Sequence, residues 1–318
     1  MKPAFRIGVA LGGGGAAALS YVGVLEELAA AGIRFDCIAG TSAGAVVGAA
    51  LAADRLDEFR TVMTSLTRGR VFTLFDPTWG RGGLIDGRRA MDMLAPVIGT
   101  DIEKLATRFA AVATNLDTGE EVVLNRGSVV EAVRASIAIP GVFRPRTIDA
   151  RVLVDGGLVN PIPVSVARAM GADFVIAVSI LRLRGVTEGS AESVLLAQEL
   201  GPAGNGNRHA SPGSDATTNG RQGGLGMLDV LAKGSAVVQS HIAAARLRDC
   251  PPDAFLSPRS ENIGIFEIMR SAEAIETGRD VARRALPDLL AAIATARRQH
   301  SSRLRRLFSS ALARPRAI

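Results

Sequence analysis

Residues 38–53 read IAGTSAGAVVGAALAA, and this stretch decides the fold. Its short apolar start predicts a strand, and the run of small residues that follows predicts a helix. Between them, Gly40 and Gly44 flank Ser42 in a G-x-S-x-G pattern. Glycines at these positions permit a tight strand-to-helix turn that holds the serine outward, with helix amides directed at its oxygen. The pattern predicts a serine nucleophile elbow, and its structural alternative is a serine that caps a core helix.

A second glycine pattern lies upstream. Four consecutive glycines at 12–15 end an apolar segment at 5–11 and open a helical pattern at 16–31. A run without side chains leaves backbone N–H groups free to converge on one point, which suits an anion or an oxyanion. The glycines therefore predict a strand-to-helix turn that binds negative charge.

The same turn also fits a dinucleotide-binding fingerprint, G-x-G-x-x-A, over Gly13, Gly15 and Ala18. This fingerprint requires an acidic residue about 20 positions on, at the end of the second strand, to hold a ribose. Asp36 instead precedes that strand, and the strand runs into the Ser42 turn. A nucleotide-binding oxidoreductase is therefore the rival hypothesis, without its acid in the expected place.

A serine nucleophile needs a base, and histidine is the usual one. The chain has three histidines. His209 lies in the glycine-rich stretch 201–226 and His300 in an arginine-rich tail, so both are expected to be solvated. His241 lies among apolar residues of a predicted helix and is expected to be a partly buried structural residue. A Ser-His-Asp triad is poorly supported.

An aspartate is the remaining candidate base. Asp155 precedes Gly156 and Gly157 and follows a predicted strand at 151–154. In a parallel sheet the strands before Ser42 and before Asp155 end at the same edge, so the two side chains are expected to face each other. An ionised aspartate is a weak base at neutral pH, so such a dyad needs desolvation or geometry to compensate. The structural alternative is an aspartate that satisfies a turn.

Strand and helix patterns alternate over residues 5–180 and predict one layered α/β domain. Two of the predicted strands, at 109–116 and 121–124, flank an Asp-Thr-Gly turn and predict a hairpin. Residues 201–226 contain almost no apolar side chains and predict a mobile loop. Helical patterns return at 228–247 and 271–296, where we expect helices that pack on the sheet.

Composition and charge limit the partners. The chain has 318 residues, of which 47% are hydrophobic and 4% aromatic, and its two cysteines fit neither a disulfide framework nor a four-ligand zinc site. Residues 283–318 hold nine arginines and one acid, Asp288. The low cysteine count favours a reducing compartment, so we expect a cytoplasmic protein. We expect no nucleic-acid partner, because aromatic stacking residues are scarce and no nucleic-acid-binding motif is present. The sequence gives no oligomeric state.

The end of the chain predicts contact with an anionic membrane. Apolar residues follow helical spacing there, while arginines fall outside that apolar arc. Such a helix can lie on the inner membrane surface as a peripheral contact, and its alternatives are packing on the body or disorder. The apolar residues are Leu304, Leu307, Phe308, Ala311 and Leu312, and the arginines are Arg303, Arg305 and Arg306.

Taken together, the motifs resemble the patatin-like phospholipase family, notably its small bacterial members. Six stretches carry the resemblance and run in family order from about residue 5 to 290. They are LGGGGAAALSYVGVLEEL (11–28), IAGTSAGAVVGAALAA (38–53), ASIAIPGVFRP (135–145), VLVDGGLVNPIPV (152–164), MGADFVIAVSI (170–180) and AIETGRDVARRALPDL (274–289).

The resemblance implies a three-layer α/β fold with a mostly parallel central sheet flanked by helices. It implies an acyl hydrolase domain over 5–290, with a glycine-rich insertion at about 201–226 and a basic amphipathic tail at 291–318. The implied activity is hydrolysis of fatty-acyl esters of lipids, with no metal and no organic cofactor.

The resemblance also assigns roles to residues. Ser42 is the implied nucleophile and Asp155 the implied general base of a Ser-Asp dyad. The implied oxyanion hole consists of backbone groups of the first glycine turn, and four further glycines complete the motifs around the dyad. The glycines of the turn are Gly13, Gly14 and Gly15, and the supporting ones are Gly40, Gly44, Gly156 and Gly157.

One stretch departs from the family pattern. Ala17 stands where a cation is usual, and Ala18 replaces the last glycine of the motif. A missing cation removes positive potential beside the oxyanion site, which weakens the expectation of phospholipid headgroup binding. It also supports a second hypothesis, a catalytically weak protein of the same fold that binds lipid or a partner and regulates.

Overall fold

The structure is a computed structural model that describes residues 4–74, 76, 83–181, 183, 227–258, 260 and 263–312. It gives only the backbone at 83–84, 227–233 and 303–312. The glycine-rich stretch predicted at 201–226, which includes His209, lies outside the described residues. The apolar and basic side chains predicted to form a membrane-binding face at 303–312 also lie outside them.

An eight-stranded sheet forms the centre of the described structure, with strand order β10-β9-β1-β2-β4-β8-β7 and β5 paired to β4. A separate two-stranded sheet joins β3 and β6. The strands are β1 (Ile7–Leu11), β2 (Cys37–Thr41), β3 (Gly83–Ile85), β4 (Arg108–Asn115), β5 (Glu121–Leu124), β6 (Gly141–Phe143), β7 (Arg146–Ile148), β8 (Arg151–Asp155), β9 (Phe174–Val178) and β10 (Ala254–Leu256).

Helices cover both faces of this sheet. They are α1 (Ser20–Ala30), α2 (Ala43–Ala52), α3 (Leu56–Thr64), α4 (Arg68–Leu74), α5 (Arg88–Ile98), α6 (Val129–Ser136), α7 (Val164–Ala169), α8 (Met227–Asp249) and α9 (Ser271–Leu312). Short 3-10 helices at Gly15–Leu19 and Ile268–Arg270 precede α1 and α9. The predicted helix at 16–31 therefore begins as a 3-10 segment.

The central strands are buried on both sides because their residues are apolar in both alternating sets. Val9 and Leu11 of β1 belong to one apolar cluster with residues of α1, α2, α3, α5, α6 and α9. Ala10 lies on the other face with residues of α7 and α8. The protein thus has the predicted three layers, helix on sheet on helix.

Strand direction changes across the sheet. β10, β9, β1, β2 and β4 are parallel to one another. β8 is antiparallel to β4, and β7 is antiparallel to β8. The predicted hairpin is present, since β5 pairs antiparallel with β4. We refer to β10, β9, β1, β2 and β4 as the parallel half of the sheet, and to β5, β7 and β8 as the antiparallel half.

Strand β4 joins the two halves and has different neighbours along its length. Its first part pairs with β2, with Val112 opposite Thr41, and its last part pairs with β8, with Ala113 opposite Asp155. β5 overlaps both of these parts and therefore occupies the other edge of β4. Consequently β2 and β8 lie end to end along one edge of β4, and their carboxyl ends meet.

This arrangement corrects one step of the sequence argument. We expected Ser42 and Asp155 to meet because parallel strands end at a common edge. That reason is wrong for β8, which runs antiparallel to β2 and β4. The two residues meet because β4 is longer than β2, and β8 pairs with the part of β4 that β2 leaves free.

Helix α9 holds the end of the described chain to the body. A Cβ placed on Gly23 of α1 would lie only 1.9 Å from the carbonyl oxygen of Ile275, so the two helices cross in close contact. α9 continues past residue 290 without interruption, and Ile293 is buried in the core. His300, expected to be solvated, is half-buried in edge-to-face contact with Phe5. None of the described helices contains a stretch long and apolar enough to cross a bilayer.

Candidate active site

Ser42 occupies the turn between β2 and α2 in a strained backbone conformation. Its φ is 55° and its ψ is −126°, a region that L residues rarely adopt. The flanking glycines make this turn possible, because their Cα atoms lie directly against backbone atoms of neighbouring residues and leave no room for a side chain. A Cβ on Gly44 would lie 2.3 Å from the carbonyl oxygen of Leu11, and one on Gly40 would lie 2.5 Å from the Cα of Ala45. The predicted elbow is therefore held by two close backbone approaches.

The Ser42 hydroxyl donates to the carboxylate of Asp155. The distance from Oγ to Oδ2 is 2.6 Å, and the exposed fractions of the two residues are 8% and 3%. The other carboxylate oxygen, Oδ1, accepts from the backbone N–H of Gly157 at 2.7 Å. Gly156 allows the turn to pack on β4, since a Cβ there would lie 2.3 Å from the carbonyl oxygen of Val112. A hydroxyl and an oriented carboxylate thus lie in direct contact beneath the surface.

Burial changes the chemistry of this carboxylate. Desolvation raises the pKa of Asp155 to about 6, although the hydrogen bonds from Ser42 and Gly157 act in the opposite direction. A base with a pKa near 6 accepts a proton more readily than an exposed aspartate does, yet it remains ionised at neutral pH. The desolvation that the sequence argument required is present.

Ser136 links the elbow to the sheet, and sequence reasoning did not single out this role. Its buried hydroxyl donates to the carbonyl oxygen of Val112 at 2.6 Å and accepts from the backbone N–H of Ser42 at 2.9 Å. Ala138 lies two residues after Ser136, and its carbonyl oxygen accepts from the backbone N–H of Asp155. The segment after α6 therefore positions both residues of the pair. The available signal was the family segment ASIAIPGVFRP (135–145), which contains Ser136 and Ala138.

The first glycine turn lies beside Ser42, but its three N–H groups are not equivalent. The N–H of Gly13 donates to the carbonyl oxygen of Pro161 at 3.1 Å. Among the described residues, no acceptor takes the N–H of Gly14 or Gly15. The predicted set of three donors is therefore reduced to two, because Gly13 uses its N–H to fasten the turn to the segment after Asp155.

Tyr21 fixes this turn from the protein interior. Its hydroxyl donates to the carbonyl oxygen of Gly13 at 3.2 Å and accepts from the backbone N–H of Ile180 at 3.1 Å. The side chain is fully buried, and desolvation raises the pKa of Tyr21, so the phenol stays protonated and keeps its donor. Sequence reasoning missed this residue because a tyrosine on a helical apolar face looks like ordinary core.

The rival sites find no support in the described structure. The Asp36 carboxylate accepts from the N–H of Ile7 at the start of β1, so it lies at the opposite edge of the sheet from the glycine turn. His241, expected to be partly buried, is exposed, and its Nδ1 contacts the carbonyl oxygen of Val237 in its own helix. Across the described part of the chain, no group of three His, Cys, Asp or Glu side chains could hold a metal ion.

Two cavities meet at Ser42. The first, which we call the apolar cavity, has a volume of about 180 Å³, and Ser42 is the one polar side chain among its described lining residues. It extends between α2, α3, α4 and α5, where Phe59, Met63 and Met91 form part of the wall. A space of this kind accepts a hydrocarbon chain and places one end of it at the serine.

The second space, which we call the mixed cavity, has a volume of about 450 Å³ and lies on the other side of the pair. Its wall contains Ser42, Asp155 and the two glycines of the turn whose N–H groups have no described acceptor, Gly14 and Gly15. Helix α8 adds Ser235, Gln239 and Ser240 to this wall. Helix α8 thus supplies neutral hydrogen-bonding groups next to Ser42 and Asp155. Sequence reasoning did not select these residues, because the helix carries no motif.

The departure from the family pattern is visible in the packing. Ala17 is 1% exposed, and its carbonyl oxygen accepts from the hydroxyl of Ser20 at 2.7 Å. Ala18 is also buried and forms part of the wall of the apolar cavity. The position expected to hold a cation is therefore a packed interior position.

Comparisons with known proteins cover the part of the chain that contains this site. A family model described as Patatin-like phospholipase matches residues 9–168, which include Ser42, Asp155 and the glycine turn. An uncharacterized NTE family protein of Mycobacterium tuberculosis is 42% identical over 176 residues, which cover 55% of this chain and 49% of the relative. A second one from the same organism is 32% identical over 293 residues and covers 89% of this chain and 47% of the relative.

More distant similarities extend to other organisms. Mouse patatin-like phospholipase domain-containing protein 7 is 33% identical over 185 residues, which cover 55% of this chain and 13% of the relative. The solved structure of VipD from Legionella pneumophila aligns with a TM-score of 0.36 and 16% identity over 57% of this chain and 51% of that one. The chain spans about half the length of its mycobacterial relatives. On the family match, this chain belongs to the patatin-like phospholipase family.

Proposed function

We propose that the protein is a serine hydrolase of fatty-acyl esters that works through Ser42 and Asp155. The observation that carries this proposal is the 2.6 Å hydrogen bond between their side chains, at the junction of the two cavities. Membership in the family supports lipid ester hydrolysis as the general activity. The dyad, the route of the reaction and the substrate class are our proposals.

In the first half of the reaction, Asp155 accepts the hydroxyl proton as Ser42 Oγ attacks the ester carbonyl carbon. The carbonyl oxygen becomes an oxyanion that the N–H groups of Gly14 and Gly15 stabilise, with support from the amino end of α2. The bond between carbonyl carbon and ester oxygen then breaks. The leaving alcohol takes the proton from Asp155, and the acyl group stays on Ser42.

In the second half, Asp155 accepts a proton from a water molecule that attacks the acyl carbon. The bond to Ser42 Oγ breaks, Ser42 recovers the proton, and the fatty acid leaves. We assign the acyl chain to the apolar cavity, because its described wall is hydrocarbon except for Ser42. We assign the leaving alcohol to the mixed cavity, because Ser235, Gln239 and Ser240 offer it neutral hydrogen-bond partners.

A fluorophosphonate probe and a panel of lipid esters test the proposal. We expect the wild type to be labelled and to hydrolyse esters, and Ser42→Ala to lose labelling and at least about 10⁴-fold of its turnover. Ser65→Ala is the matched control, because this exposed serine of the α3 end lines neither cavity. A wild type that neither labels nor hydrolyses any ester contradicts the proposal and favours a catalytically weak regulator of the same fold.

A further inference from the structure

Helix α4 has two different faces. Val71 is buried and Leu74 half-buried, and both line the apolar cavity that ends at Ser42. Phe72 lies between them in the sequence but is 81% exposed, the highest value among the large hydrophobic side chains that the structure describes. An exposed aromatic ring on a helix that forms the wall of a substrate cavity requires an explanation, because burial of such a ring is favourable.

Positive charge accompanies this ring. Arg68 and Arg70 of the same helix are exposed, and neither makes an ion pair with any residue in the described part of the chain. Arg89, at the start of α5, is also exposed and holds the end of α4 by donating to the carbonyl oxygen of Thr73. The outer surface of α4 thus combines an aromatic side chain with cations that have no acidic partner among the residues that the structure describes.

Other exposed apolar side chains adjoin the same two cavities. Met269 is 42% exposed and follows Ile268, a residue of the apolar cavity. Val237 is 58% exposed and is itself part of the mixed cavity. Exposed hydrophobic groups therefore occur on three segments that form the walls of the candidate active site.

We propose that the protein docks on an anionic phospholipid bilayer through α4, with Phe72 inserted among the lipids and Arg68 and Arg70 paired with phosphates. Apolar side chains that enter the interface and basic groups that contact anionic headgroups bind peripheral proteins in this way. The apolar wall of α4 then leads from the bilayer toward Ser42, so an acyl chain moves between two hydrocarbon environments. The transfer of an acyl chain to Ser42 rests on the proposed function, whereas the docking on the bilayer does not.

Sedimentation with vesicles of phosphatidylcholine, with and without phosphatidylglycerol, tests the docking. With the full chain we expect Phe72→Ala to lose about tenfold in affinity for the mixed vesicles. We expect Arg68→Gln and Arg70→Gln to lose about fivefold each, and only when phosphatidylglycerol is present. Leu116→Ala and Arg126→Gln are matched controls, because both are exposed residues on the β4–β5 side of the molecule.

Catalysis separates this proposal from the proposed function. Phe72→Ala leaves the turnover of a water-soluble short-chain ester unchanged, since Phe72 does not line either cavity. Vesicle binding is also measurable with Ser42→Ala, so a protein without esterase activity still tests the docking surface. Wild-type affinity in Phe72→Ala and in the two arginine variants overturns the proposal and transfers membrane binding to another surface.

An independent observation concerns Tyr21. Its hydroxyl donates to the carbonyl oxygen of Gly13, and this carbonyl belongs to the same planar peptide group as the N–H of Gly14. In a trans peptide the two groups point in opposite directions, so the hydrogen bond from Tyr21 also sets the direction of the Gly14 N–H. We infer that Tyr21 is a positioning residue for the proposed oxyanion donor at Gly14, an inference that rests on the proposed function.

Tyr21→Phe tests this role. We expect kcat to fall about tenfold with KM unchanged, and the affinity for a trifluoromethyl ketone, which forms an oxyanion on the serine, to fall by the same factor. Affinity for a non-hydrolysable ether analogue is expected to stay unchanged. Because Tyr21 is the single tyrosine of the chain, biosynthetic 3-fluorotyrosine replaces it alone, keeps the hydroxyl and retains the rate.

The outcomes distinguish positioning from a purely structural role. A Tyr21→Phe protein that is less stable but keeps both kcat and ketone affinity overturns the inference. A Ser42→Ala protein that retains hydrolysis refutes the proposed function instead, because the oxyanion then forms elsewhere.

Discussion

The parallel and antiparallel halves of the large sheet contribute differently to the candidate site. The parallel half supplies Ser42 and the glycine turn, at the carboxyl ends of buried strands that helices cover on both faces. The antiparallel half supplies Asp155, at the end of a strand that enters from the opposite direction. The proposed dyad forms at the boundary, where β2 and β8 meet along β4. Neither half contains both residues of the proposed dyad, so the register of both strands on β4 determines whether Ser42 and Asp155 meet.

Removing the contribution of the antiparallel half has the largest expected effect. Asp155→Asn keeps an oxygen that accepts from Gly157 and an amide that contacts Ser42, but it cannot accept a proton. We expect ester turnover to fall by about 10³ to 10⁴-fold with the fold retained, as for loss of the carboxylate in other serine hydrolases. Steady-state kinetics measure the turnover, and circular dichroism measures whether the fold is retained. If His241→Ala abolished turnover and Asp155→Asn did not, the base would be misassigned.

Altering the parallel half at the glycine turn has the next largest effect. A Cβ on Gly14 would lie 2.5 Å from the side chain of Ile180, so Gly14→Ala displaces the turn or its neighbour. We expect a loss of about 10² to 10³-fold in kcat, the usual cost of a missing oxyanion donor. Gly234→Ala is the control, because a Cβ there meets no atom within 4 Å. Equal kinetics for the two variants would exclude Gly14 from the oxyanion site.

The boundary also carries an expected stability cost. The carboxyl group of Asp155 has a pKa of about 6 in the folded protein and 3.8 as its ordinary value, so the folded state binds more protons between these pH values. Wild-type stability therefore falls as the pH rises through this range, by up to about 3 kcal/mol at neutral pH and above. We expect Asp155→Asn to be more stable than the wild type by up to this amount.

Urea unfolding at several pH values measures this difference. The advantage of Asp155→Asn should shrink as the pH falls through about 6 and disappear below about 4, where the wild-type carboxyl is protonated in both states. A constant difference across the whole pH range would show that packing changes, and not the titration of Asp155, determine the stability of the variant.

The smallest effect is a change in rate with pH. Because the base must be ionised to accept a proton, we expect kcat/KM of the wild type to fall about tenfold per pH unit below about pH 6 and to be level above it. Hydrolysis of a soluble ester between about pH 4.5 and 8 provides the profile. A midpoint near 4 would mean that the carboxyl group of Asp155 is not desolvated while the enzyme turns over.

Much of the fold could be predicted from local patterns. The apolar strand around Ile38, the elbow at Ser42 and the hairpin at β4 and β5 were predicted close to their observed bounds, because each depends on residues adjacent in the chain. The helix predicted at 271–296 is also present, but it continues to Leu312 without a break. No local signal marks the predicted end of this helix at residue 296, since the sequence beyond it stays compatible with a helix.

Other features depended on contacts between distant residues. The exposure of His241 and the burial of His300 against Phe5 followed from how α8 and α9 lie on the body, which periodicity alone does not give. The loss of Gly13 as a free donor depended on Pro161, which follows it by more than a hundred residues. The hydrogen bonds of Ser136 and Tyr21 likewise join groups that no spacing rule connects.

By itself, the sequence determined the candidate residues of the site, because the glycines around Ser42 and after Asp155 are required by backbone geometry that is local to each turn. The tertiary structure decided how these residues meet, since the direction of β8 and its place on β4 depend on pairing between segments far apart in the chain. It also decided how basic Asp155 is, because desolvation depends on every element packed around the carboxylate. Residue identity is a local property, whereas distance and dielectric environment belong to the assembled fold.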